Sequence, residues 1–108
     1  MPVRQSTDEP VSKLFEAADK PDHELKCWPQ FFSEIEAGRK KHDLRRNDDR
    51  KFKVGDKILL REFDPKLNNY TGRSMMVQVT YVTSSDLPCA LSKDALHPNF
   101  CILSIQTL

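Results

Sequence analysis

The stretch EAGRKKHDLRRNDDRKFKVGD, residues 36–56, gathers the side chains most able to do chemistry in this sequence. Residues 39–53 carry eight bases and three acids, Asp43, Asp48 and Asp49. If the segment is extended, Lys41, Asp43, Arg45 and Asn47 share one face, and His42, Leu44, Arg46 and Asp48 share the other. A carboxylate set between two cations stays ionised, orients them and accepts hydrogen bonds. Such a set suits a nucleotide, whose phosphate takes Arg or Lys and whose base edge takes Asp or Asn. The expected roles are therefore phosphate contact for Lys40, Lys41 and Arg45, and base or sugar contact for Asp43 and Asn47. Arg50 extends the basic run. The competing reading is a charged edge strand that blocks aggregation. Eight cations within fifteen residues repel one another, however, and a merely solubilising surface interleaves its signs more evenly.

The lone tryptophan, Trp28, follows Lys26 by two positions at a strand-to-helix junction. It either packs under the helix with Phe31, Phe32 and Ile35 or offers a base a stacking platform at the rim of a cleft. Tyr70, on a loop, is a second stacking candidate. His23 and Cys27 fall on one strand face, but no close Cys or His pairing of the zinc type occurs, so no metal is expected. Three glycines leave no room for a phosphate-cradling loop, and no cofactor is expected.

These side chains need elements to hold them. HELKC alternates with period two, as a half-buried strand does. WPQFFSEIEAG then switches to helical spacing at Trp28, Phe31, Phe32 and Ile35, with Pro29 suited to a first turn and Gly38 to a left-handed cap. KKHDLRRN alternates again, and Leu44, its one good core residue, is expected to point inward. KILLREF has apolar side chains on both faces and reads as a core strand. DPKLNNYTG is a hairpin loop. MMVQVTYVT puts Met75, Val77, Val79 and Tyr81 on one face, a long irregular connection follows, and CILSIQTL closes the chain. The order strand, helix, three strands, loop, strand predicts an α+β fold: a small mixed or antiparallel β-barrel of about five to six strands with one or two short helices.

The chain of 108 residues fits one domain. Residues 1–21 read as a tail, flexible or forming a short docking helix for a protein partner, and residues 22–108 as the domain. The formal charge of +1 gives the whole molecule no strong preference for polyanions, so any preference is local. Three cysteines without close spacing favour a reducing compartment. No window approaches a membrane span and no apolar signal core opens the chain, so a cytoplasmic protein without membrane contact is expected.

The run HELKCWPQFFSEIEAGRKKHDLRRNDDRKFKVGDKILLREFD, followed by YTGR, VQVTYV and CILSI, resembles the ASCH domains of the PUA-like superfamily. More narrowly it is similar to a small bacterial and phage branch labelled as a domain of unknown function. The resemblance covers about residues 22–108. It implies a small β-barrel with a cleft beside the first helix that binds RNA or modified nucleosides. The family's Gly-x-Lys-x-x-Glu-x-Arg pattern falls on Gly38, Lys40, Asp43 and Arg45, with Asp43 replacing Glu. Some ASCH proteins hydrolyse acetylated cytidine with a Lys, a Thr three residues later and a distant Glu. Lys40 matches the Lys, Asp43 stands where the Thr would be, and Glu62 is the candidate for the Glu. Other relatives have been linked to cleavage of single-stranded RNA, for which His42 is the nearest candidate base. Binding of RNA or a nucleotide is the leading expectation. The alternatives are a small hydrolase acting on a modified nucleoside or single-stranded RNA, and a phage or bacterial protein-interaction module.

Overall fold

The computed structural model describes residues 20–86 and 89–108. The expected docking helix of the tail lies outside the described residues. The elements are β1 (His23–Cys27), α1 (Pro29–Glu36), β2 (His42–Arg46), β3 (Lys57–Asp64), β4 (Asn69–Ser84), α2 (Ser92–Ala95) and β5 (Phe100–Thr107). All five strands form one sheet in the order β1-β3-β4-β5-β2. β1 runs parallel to β3, a pairing that needs a crossover, and α1 and β2 supply it. The other neighbours are antiparallel. The sheet curls into a half-barrel, so the fold is α+β and barrel-like, as the element order implied.

The core lies on the concave face. Phe32 and Ile35 of α1 pack against Ile58 and Leu60 of β3, Val77 and Val79 of β4, and Leu103 and Ile105 of β5. Burial of this set is the main driving force for the curl, since each fully buried aliphatic or aromatic side chain contributes about 1.5–3 kcal/mol.

Helix α1 starts at Pro29, whose missing N–H is no loss in a first turn. It stops at Gly38, which adopts φ +80°, a conformation that an L side chain resists. The last carbonyls are then satisfied from beyond the helix: Gly38 N–H donates to Ile35, and the N–H groups of Arg39 and Lys40 both donate to Glu34, each at 3.0 Å. This cap turns the chain and delivers Lys40 and then β2 back alongside the start of α1.

Three local expectations are corrected. Leu44 is more than half exposed, whereas Asp43 and Arg45 are the half-buried residues of β2, so the strand presents the opposite face to the one expected. The reason is that Asp43 and Arg45 satisfy each other, which makes their burial cheaper than burial of an unpaired charge would be. Tyr81 does not follow Val77 and Val79 inward. The β4–β5 register passes from Val79↔Ile105 to Tyr81↔Ser104, so Thr80 is an extra residue in a bulge and the alternation is shifted beyond it. Tyr70 belongs to the start of β4 and not to the loop, which turns through Asn68 at φ +53°.

Candidate functional site

Helix α1 has two aromatic faces. Phe32 and Ile35 are almost wholly buried, while Trp28 and Phe31 remain 47% and 44% exposed. The Trp28 and Phe31 rings lie nearly parallel, 18° apart in tilt, with centroids at 6.2 Å. They form one side of a cleft of about 350 Å³, which Lys26 and Cys27 of β1, Lys40, and Asp43, Leu44 and Arg45 of β2 complete. Because β1 and β2 are the two edges of the sheet, this cleft lies along the open seam of the half-barrel.

Arg45 spans the seam. Its Nε donates to Asp43 Oδ2 at 2.7 Å, and its Nη2 donates to the backbone carbonyl of Lys26 at 2.6 Å. One planar guanidinium thereby joins the two edge strands, using the fork geometry that Arg has and Lys lacks. Asp43 Oδ1 has no hydrogen-bond partner among the described residues and remains an acceptor. The Lys40 ammonium donates to His42 Nε2 at 3.4 Å and lies 5.6 Å from the Phe31 ring centre. The Lys26 ammonium sits over Phe63 at 4.3 Å. Two ammonium groups, a carboxylate and a guanidinium therefore surround a partly apolar aromatic surface.

Cys27 is the only residue of the lining with a thiol, and it is nearly fully buried. Burial first, then the nearby Asp43 carboxylate, push its pKa up to about 11, against opposing pulls from Arg45 and Lys40. At neutral pH about one such thiol in ten thousand is ionised, so Cys27 forms part of the wall and is no ready nucleophile. Cys89 is exposed, and the backbone hydrogen bond from Leu91 holds its pKa below the usual thiol value. The expected outcome with a maleimide at neutral pH is rapid labelling of Cys89, and labelling of Cys27 that is slower by about two orders of magnitude or more. Peptide mass spectrometry after timed quenching reads this; equal rates would contradict the buried wall.

Behind the cleft lies a second polar group. Glu62 faces Cys27 across the β1–β3 ladder and is buried. The β3–β4 register passes from Arg61↔Ser74 to Phe63↔Tyr70, so Thr71, Gly72 and Arg73 bulge opposite Glu62. Gly72 takes φ +100° there. The bulge lets Thr71 Oγ1 donate to Glu62 at 2.6 Å and brings Arg73 Nε to 3.6 Å. Arg73 also donates to Glu36 at 2.7 Å and covers the Phe32 ring at 4.8 Å, which straps α1 to the sheet. Glu62 does not line the cleft.

Of the residues expected to act together, the cleft assembles Lys26, Trp28, Lys40, Asp43 and Arg45. It leaves out three. Lys41 shares the parity of Asp43 and Arg45 but precedes β2, where its carbonyl accepts from the Ile105 N–H at 3.0 Å, and it lines a second groove with Thr80, Ser104 and Gln106. Asn47 lies past the end of β2, its N–H held by the Asn99 carbonyl at 2.9 Å, in a hollow with Phe52 and Ser84. Arg50 sits on the following turn, 3.9 Å from Asp49. Phe31 and Leu44 are cleft residues that the sequence reading had assigned to the core. For Phe31 the signal is the three-residue spacing from Trp28, which puts both on one helix flank. His23 pairs with Asp56 at 2.9 Å, away from the cleft.

A curled α+β half-barrel with a cationic, aromatic-walled cleft at its seam defines the class of the domain. The chain belongs to the family described as Domain of unknown function (DUF3850), whose model matches residues 22–105. No curated protein matches it. Among the described residues, no helix is long and apolar enough to cross a membrane.

Proposed function

We propose that the seam cleft binds the base and adjoining phosphate of a ribonucleotide, free or within RNA, and that the domain is a cytoplasmic RNA- or nucleotide-binding module of the ASCH kind in the PUA-like superfamily. The observation that carries this reading is the joint presence, around about 350 Å³, of the stacked Trp28–Phe31 surface, the Lys26 and Lys40 ammonium groups and the Asp43 carboxylate. A base stacks on an aromatic face for about 1–3 kcal/mol whatever its identity. In this reading Asp43 Oδ1 accepts from an exocyclic amino group or a sugar hydroxyl, and Lys40 meets phosphate. The volume falls at the small end of ligand clefts, which suits one nucleoside.

Binding is favoured over hydrolysis of acetylated cytidine or RNA. Among the described residues no Ser, Thr or Tyr hydroxyl lines the cleft, Cys27 is held as a thiol, and Glu62 stands behind the wall. His42, the candidate base, is exposed outside the lining and engages Lys40. A protein-partner role for the tail rests on residues outside those described.

Trp28 is the only tryptophan, so its emission reports the cleft. Titration with nucleoside monophosphates and short RNAs is expected to quench it saturably, and more weakly at high salt. Lys40→Ala is expected to reduce affinity by about tenfold, the range for one charge-assisted phosphate contact. Absence of quenching with every nucleotide, or quenching indifferent to both salt and Lys40→Ala, would overturn the proposal.

A further inference from the structure

We infer that the ligand is a single-stranded oligoribonucleotide of at least two nucleotides, with one base in the seam cleft and a neighbouring phosphate in a second groove beyond Lys40. This rests on the reading of the cleft as a nucleotide site and names the size and class of what enters it. The second groove is larger, about 580 Å³, and its lining includes Lys40, Lys41, Thr80, Ser104, Gln106 and Thr107. Lys40 lines both cavities, which therefore adjoin at this residue.

The chemistry of the two differs in the way that the parts of a nucleotide chain differ. The cleft offers ring faces and a carboxylate. The groove is lined by two lysines, three hydroxyl residues and a glutamine, and no carboxylate residue lines it among the described residues. Ammonium, hydroxyl and amide donors are the groups that meet phosphate and sugar oxygens without reading sequence. Thr80, at the β4 bulge where the register with β5 shifts, also lines the groove. Lys41, which precedes β2 and lies outside the cleft, finds its use here.

Calorimetry on the full chain with homopolymeric tetraribonucleotides of each base, and with the matching monophosphates and triphosphates, tests this. The expected result is at least about tenfold tighter binding of the best tetranucleotide than of its monophosphate, with a steeper salt dependence. Gln106→Glu, an isosteric change at an exposed position, places negative charge in the groove; it is expected to remove most of that gain and to leave monophosphate binding unchanged. Lys41→Ala should likewise diminish the gain. Equal affinity for monophosphate and tetranucleotide, a gain unaffected by Gln106→Glu, or a triphosphate that matches the tetranucleotide would each overturn the inference while leaving the cleft reading intact. Failure of every nucleotide to bind would bring down both.

Discussion

Replacing Arg45 by alanine is expected to destabilise the domain by about 2–4 kcal/mol and to abolish measurable nucleotide binding. The side chain is mostly buried, as is its partner Asp43, and it makes two short hydrogen bonds across the seam. Its removal leaves a carboxylate uncompensated in a shielded place and the Lys26 carbonyl without its donor. Arg45→Lys retains the charge but not the fork, and should recover less than half of the loss. Urea denaturation followed by far-ultraviolet dichroism measures both. A cycle with Asp43→Ala is expected to show strong coupling, the double variant costing less than the sum of the singles. If Arg45→Ala costs under about 0.5 kcal/mol, the range of a surface pair, the guanidinium does not hold the seam.

The second large effect is expected from Phe32→Ala, at about 3–5 kcal/mol, the usual cost of emptying a buried aromatic site. Phe32 is 1% exposed and joins α1 to the concave face of the sheet, with the Arg73 guanidinium over its ring. A domain of this size has roughly 5–15 kcal/mol in total, so the variant stands near the edge of folding. Its neighbour Phe31 supplies the control. Phe31→Ala removes a half-exposed ring, should cost about 1 kcal/mol or less, and should instead weaken ligand binding by removing one wall of the cleft. Equal destabilisation by the two variants would mean that α1 does not have the inner and outer faces described here.

Much of the frame was legible in the sequence. Pro29 and Gly38 marked the two ends of α1 because each has a backbone property tied to one end of a helix. The period-two pattern of β1 and the apolar run of β3 likewise stood out locally. The inversion of β2 was not legible, since it depends on Arg45 meeting a carbonyl nineteen positions earlier. A rule that sends Leu inward has no access to that partner. Tyr81 was misplaced because a single inserted residue, Thr80, changes the phase of everything after it. Glu62 was suggested by resemblance alone, and its burial follows from the Thr71–Arg73 bulge, which local pattern does not reveal. Lys40, Asp43 and Arg45, near one another in sequence, do meet in the cleft; Asn47 and Arg50, judged by the same proximity, are not brought in.

Among the described residues, the two margins of the sheet are joined by the Arg45 latch where a closed barrel would have a ladder of backbone bonds. Separating them locally therefore breaks few interactions and leaves the β3–β4–β5 layers intact. If the cleft binds as proposed, a guest that grips both margins would act as a missing stave, tightening the vessel as it enters.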